Sequence, residues 1–281
     1  MVALAAVALL SDAGCQLFAP PFRRNPKLRL LRSGHGAARD TTWSSFIRPI
    51  VSPDGKQVYF LSAQYPCNID NHFGTLWRMG LHDTAAFQLL PDTFRSMALS
   101  PDGPTMVLGT YGYGPIRRLL TIDLSTWTVD TIPCDQDINA MDVEFSRTVP
   151  SRVYYSESKS GLHRINIDGS DNVLVDSTIR GYFDLTPSDS VVLGVSSKPK
   201  VRPGGRYAAS VIMSSGWDIF LIDLTTRDKI NLNARPYDPS EIAFPCWTPD
   251  GKTLIFAAAE IDERDRTGPG ELWVLDDVFR K

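Results

Sequence analysis

Three carboxylates stand at matching places in strand-like segments of this chain. Asp142 and Glu144 lie four and two residues before Ser146, and Asp184 lies two residues before Thr186. Side chains two apart on a strand point the same way, so segments aligned side by side would gather all three at one spot. Like charges crowded in a narrow site raise one another's pKa or recruit a cation, which is how acid catalysts and metal sites are made. Arg48, four residues before Ser52, falls on the same face and offers the opposite outcome, in which it and backbone N–H groups neutralise the carboxylates. A second set of candidates is aromatic: Tyr65, Phe73, Tyr111 and Tyr113 sit in long irregular segments where they could anchor a partner.

These residues are positioned by a recurring phrase. Ser52-Pro53-Asp54-Gly55-Lys56 precedes Val58-Tyr59-Phe60, Ser100-Pro101-Asp102-Gly103 precedes Met106-Val107-Leu108, and Thr248-Pro249-Asp250-Gly251-Lys252 precedes Leu254-Ile255-Phe256. Weaker copies open at Ser146 and Thr186. Pro presets φ for the second position of a type I turn, and Gly accepts the left-handed conformation that follows. With an apolar run before it and a β-branched or aromatic run after it, the phrase is a tight hairpin. A third strand follows in each unit, as in Leu119–Ile122, Leu162–Ile165, Ile219–Ile222 and Leu272–Leu275. The copies start 40 to 62 residues apart, the period of propeller blades. Asp54, Asp102 and Asp250 are then turn formers facing solvent, and Trp77, Trp247 and Trp273 fill space between blades.

The phrase, with the Leu-Trp or Leu-Ile strand that follows, resembles the TolB-type propeller repeat over about residues 28 to 281. The resemblance implies an all-β ring of four-stranded antiparallel blades. Five blades are expected, with six as the runner-up, because a second phrase-like segment, Arg202-Pro203-Gly204-Gly205-Arg206, falls in the long interval after Thr186. Only one third strand follows it, so Val191–Ile212 reads as a long hairpin extension of the fourth blade. The last unit stops soon after its third strand, and Lys27–Arg32 is expected to supply the missing fourth strand and close the ring. The same repeat occurs in envelope binding proteins, in propellers attached to serine peptidases and in some lyases, so it implies a fold more than a function.

Val2–Leu10 is an apolar run of signal-peptide length, and Ala13-Gly14-Cys15 resembles the end of a lipoprotein signal. Residues 1–14 therefore read as a leader, 15–27 as a linker and 28–281 as the propeller, placed outside the cytoplasm with a possible lipid on Cys15. A net charge of -3 gives no excess of cations for nucleic acid. The four cysteines form no C-x-x-C pair, the four histidines no H-E-x-x-H, and no G-x-S-x-G occurs, which removes the common zinc and hydrolase motifs. No cofactor is implied.

The expected function is that of a monomeric, non-enzymatic exported propeller binding a protein or envelope component. Tight turns share one face, so the long connections Ala63–Phe73, Tyr111–Ile116, Lys198–Trp217 and Glu260–Gly270 share the other, and binding is expected there. The basic run Lys198, Lys200, Arg202 and Arg206 reads as a solvated loop that could dock an acidic partner. The alternative is a propeller glycoside hydrolase or polysaccharide lyase that uses the channel carboxylates.

Overall fold

The computed structural model describes residues 24–33, 44–64, 73–83, 85–110, 117–134, 137–194, 198–213, 216–238, 240–261 and 268–279. The leader, Cys15, most of the linker, and Tyr65, Tyr111 and Tyr113 lie outside them. Among the described residues every regular element is a β-strand, and every strand pairing is antiparallel.

Along the chain, β1 (Leu28–Arg32) precedes a seven-stranded sheet of β2 (Ser44–Val51), β3 (Gln57–Gln64), β4 (Gly74–Gly80), β5 (Ala86–Leu99), β6 (Thr105–Thr110), β7 (Leu119–Asp123) and β8 (Val129–Thr131). Strand β5 is long enough to serve twice: its first half pairs with β4 and its second half with β6. A four-stranded sheet follows, of β9 (Ala140–Phe145), β10 (Arg152–Glu157), β11 (Gly161–Asn166) and β12 (Val173–Asp176). Next come a two-stranded ladder, β13 (Phe183–Leu185) with β14 (Val191–Leu193), and a four-stranded sheet of β15 (Lys200–Val201), β16 (Tyr207–Met213), β17 (Trp217–Asp223) and β18 (Lys229–Asn231). The last sheet holds β19 (Ser240–Trp247), β20 (Leu254–Glu260) and β21 (Glu271–Leu275), with β1 on the free side of β21, Leu28 facing Leu275 and Leu30 facing Trp273.

The expected hairpin extension over Val191–Ile212 does not form. β14 pairs with β13 alone, whereas β15 and β16 belong with β17 in a sheet of their own. The reason is that Arg202-Pro203-Gly204-Gly205 makes the same turn as the full phrase. The Gly205 N–H donates to the Arg202 carbonyl at 2.9 Å, as Gly55 does to Ser52 at 2.9 Å and Gly251 to Thr248 at 2.8 Å. Gly55, Gly205 and Gly251 have φ of 72°, 79° and 67°, a region that disfavours residues with a Cβ. Asp54 stays on the turn, accepting from the Ser52 hydroxyl at 2.5 Å and the Lys56 N–H at 3.0 Å.

The innermost strands touch in cyclic order, β2 to β5, β9, β13, β15, β19 and back to β2. Apolar side chains fill the spaces between adjacent sheets. Trp247 and Trp273 pack with Val211, Ile219 and Phe256, while half-buried Trp77 packs against a cluster holding Val58, Phe60 and Met79. Fully burying one such side chain stabilises by about 1.5–3 kcal/mol. The residue just before each turn (Val51, Leu99, Phe145, Leu185, Val201, Trp247) is buried in every case, which leaves the residues two and four before the turn to face the centre of the ring.

Candidate functional site

Strand β9 carries Asp142 and Glu144 to the centre, β13 carries Asp184, and β15 with the residues before it carries Lys198 and Lys200. From the far side β2 brings Arg48. Its backbone is left-handed, with φ 53°, at a bulge between Ile47 and Ile50 that also holds Pro49. Phe244, before Pro245 at the bulge in β19, has φ 54°. A bulge re-aims a side chain, and a left-handed non-glycine residue costs about 1–3 kcal/mol unless its surroundings fix it. The surroundings of Arg48 do so. Its guanidinium lies 4.6 Å from the Phe244 ring centre and 5.2 Å from that of Tyr182, and it donates to Asp142 at 3.2 Å and to the Met141 carbonyl at 3.3 Å.

The carboxylates converge as the strand alignment requires, and cations meet all of them. Lys198 Nζ lies 3.0 Å from Asp142 Oδ1 and 2.7 Å from Glu144 Oε1. Lys200 Nζ lies 2.8 Å from Glu144 Oε1 and 3.5 Å from Asp184 Oδ1. Arg147 Nη2, from the turn after β9, reaches Glu144 at 3.0 Å and Asp184 at 3.1 Å. Backbone completes the shell: the Phe183 N–H donates to Asp142 at 3.2 Å and the Val201 N–H to Asp184 at 2.7 Å. Three buried carboxylates thus face four cations, Arg48, Arg147, Lys198 and Lys200.

The protonation chemistry follows from this packing. Burial opposes the charge on Glu144, but Lys198, Lys200 and Arg147 outweigh it and hold the carboxyl below the usual carboxylate range. Asp184 is pushed up, first by burial and then by Glu144 beside it, against the pull of Lys200 and Arg147. Burial opposes the charge on Lys200, yet Asp184 and Glu144 raise its pKa above the ordinary lysine value. A divalent ion at these carboxylates would have to displace or sit among positive side chains. Among the described residues no cluster of His, Cys, Asp and Glu is arranged to hold a metal.

Lys198 and Lys200 correct the reading of a solvated basic loop, and Lys198–Trp217 is not a long connection. Both lysines are drawn inward because β15 is an inner strand and unsatisfied carboxylates wait on β9 and β13. A signal was present: set on the turn at Arg202, Lys200 and Lys198 fall two and four residues before it, as Glu144 and Asp142 do before Ser146. Arg147 had no such signal, standing where other turns have proline. Phe73 is half-buried just before β4 and does not belong to this cluster.

Above the charged cluster, on the face of the tight turns, the ring opens into a cavity of about 500 Å³. Glu144, Arg147, Lys200 and Arg202 line one side and Ile50, Ala98, Leu99 and Cys246 the other. Burial pushes the Cys246 thiol pKa up, so this wall behaves as an apolar one. Beneath lies a void of about 20 Å³ lined by Arg48, Lys198, Lys200 and Phe244, and the larger cavity forms a cup on the turn face.

No protein-family model and no curated relative matches the chain. Solved structures do. An oligogalacturonate lyase in complex with manganese is 12% identical over 83% of this chain and 77% of its own, with a TM-score of 0.51. The oligogalacturonate lyase of Vibrio parahaemolyticus is 11% identical over 80% of this chain and 76% of its own, also at 0.51. TolB from Acinetobacter baumannii is 15% identical over 82% of this chain, with a TM-score of 0.40, and the chain spans 54% of its length. At these identities the likeness to the two lyases shows a shared all-β fold and not a shared activity.

Proposed function

We propose that the chain is a six-bladed, non-enzymatic binding propeller in which one blade is reduced to the β13–β14 hairpin and β1 closes the last blade. The observation that supports this reading best is the pairing of every channel carboxylate with cations of the same chain. An acid catalyst needs a carboxyl that holds its proton near working pH and can reach a substrate, whereas Glu144 is kept ionised by three cations and Asp184, though its pKa is raised, is fully buried and paired with Arg147 and Lys200. The propeller would act outside the cytoplasm, reached through the leader in residues 1–14, and hold a protein or envelope component. The aromatic set Tyr65, Phe73, Tyr111 and Tyr113 is one contact surface on this reading, and the cup on the turn face is another.

The test separates binding from turnover. Purified protein given acidic polysaccharides is expected to release no unsaturated product and no reducing ends, while the immobilised propeller retains a partner from envelope extract. Turnover lost on Glu144→Gln or Asp184→Asn would replace this reading with the lyase or hydrolase alternative.

A further inference from the structure

The cup has a charge arrangement that neither ring closure nor carboxylate neutralisation requires. Glu144 and Asp184 are withdrawn, with side chains 2% and 0% exposed, whereas those of Arg147 and Lys200 are 24% and 18% exposed. The groups a visitor meets first are therefore the cations. Within the buried cluster four cations face three carboxylates, with Asp189 also near Arg147. Arg202 on the cup wall adds a cation whose Nε donates to the Gly251 carbonyl at 2.8 Å, whose guanidinium lies 4.1 Å from the Phe279 ring centre, and which has Asp250 nearby. Lys200 commits N–H donors to two carboxylates and has three to give. Arg147 makes both of its ion pairs through Nη2, one nitrogen of a fork that carries five N–H donors.

The opposite wall is apolar, built by Ile50, Ala98, Leu99 and Cys246. The mouth is ringed by turn prolines, Pro53, Pro101, Pro187, Pro203 and Pro249, with Arg147 at the remaining turn. Prolines fix φ, and the turns they sit in close with i to i+3 hydrogen bonds. The rim is thus organised before anything enters, which lowers the ordering cost of binding. A volume of about 500 Å³ suits a small organic molecule or one bulky side chain.

We infer that this cup binds an organic carboxylate, its charged end on Arg147, Lys200 and Arg202 and its apolar body against Ile50, Ala98 and Leu99. The carboxylate belongs to a free small acid or to the end or side chain of a docked peptide. The inference deepens the binding reading given above and rests on it. Inorganic phosphate matches the cations but has nothing to lay against the apolar wall.

The experiment uses the full chain and N-acetyl-L-phenylalanine, with N-acetyl-L-phenylalaninamide as the uncharged twin and inorganic phosphate as the bare anion. Methyl-labelled protein is titrated by NMR. The acid is expected to bind at least about tenfold tighter than the amide, as a desolvated charge-assisted contact should. The methyls of Ile50, Leu99 and Val201 should move while those of Val129 and Ile230, on outer strands, stay. Arg202→Gln, at a half-exposed position outside the buried cluster, removes the bond to the Gly251 carbonyl and the contact with Phe279 and should weaken the acid severalfold while the outer-strand methyls keep their native positions in the spectrum. Equal binding of acid and amide, a response centred on the outer strands, or phosphate matching the acid would each overturn the inference. A phenylalanine-terminated hexapeptide with free or amidated end gives the second arm. Tighter binding of the free-ended peptide than of the small acid assigns the carboxylate to a partner chain, and the reverse assigns it to a metabolite. Partner capture that persists with no cup response sinks this inference alone, whereas turnover of acidic polysaccharide sinks the binding reading.

Discussion

Two halves of the same channel wall have been filled in opposite ways. Two residues before the turn, β9, β13 and β15 place Glu144, Asp184 and Lys200, while β19, β2 and β5 place Cys246, Ile50 and Ala98. The turn and the buried residue just before it are alike in both halves, from Phe145 on one side to Val51 on the other, while β2 and β19 also bulge upstream at Arg48 and Phe244. The channel-facing residue is not held to that likeness. It can be charged if a counter-charge arrives from another inner strand, and the polar half meets that condition with acid on β9 and β13 and base on β15. The two halves should therefore fail differently when damaged.

The harshest break falls on the apolar half, where β1 pairs with β21. Removing residues 28–33 would strip β1 from β21 and leave an unpaired edge. Loss of a single cooperative thermal transition, followed by circular dichroism, is expected; a melt like that of the intact chain would show that closure does not depend on β1.

The next test sets one half against the other. Asp142→Asn leaves Arg48 buried without its carboxylate and Lys198 with Glu144 alone, and should cost about 3–5 kcal/mol in urea unfolding. Ile50→Val, at the apolar wall, should cost about 0.5–1.5 kcal/mol. Equal costs would erase the distinction.

Acid titration sharpens it further. The folded pKa of Glu144 lies below its unfolded value near 4.3, so its contribution is complete above that value and drains as pH falls beneath it. Asp184, whose pKa is raised, acts in the other sense: its share is present below the ordinary Asp value near 3.9 and is lost as pH rises through the folded value. Unfolding free energies measured from pH 6 to 3 should fall toward acid in the parent protein, and less steeply below about pH 4 in Glu144→Gln. The smallest effect concerns metals. With four cations around the carboxylates, a chelator should leave the melting temperature where it was, and a chelator-dependent drop would mean that an ion displaces them.

The fold was legible wherever local chemistry fixes local shape. Ser-Pro-Asp-Gly specifies its turn within four residues, and the flanking alternation specifies the strands, so the third strands at Leu119, Leu162 and Leu272 lie where the pattern puts them. The separate β15–β18 sheet was harder to read because Arg202 replaces the usual Ser or Thr, Gly204 replaces Asp, and the preceding hairpin lacks third and fourth strands. The site was half legible. Strand parity was enough to bring Asp142, Glu144 and Asp184 together. The burial of Lys200 depends on Glu144, 56 residues away, and on Asp184. The one mark of that is its place two residues before the turn at Arg202, which is easily passed over because a lysine's ordinary place is in solvent.

The pairing of β1 with β21 also sets a clock. Arg29 and Asp276, joined at 2.9 Å, are separated by 247 residues. At about 5–20 residues per second, a ribosome needs roughly 12–50 s to deliver the second after the first. Throughout that interval β1 is made but has no strand to join, and the earlier sheets can assemble only as an open arc. The β1–β21 pairing is therefore among the last that the chain can make, and whatever must happen to a linear or half-folded chain has until then to happen.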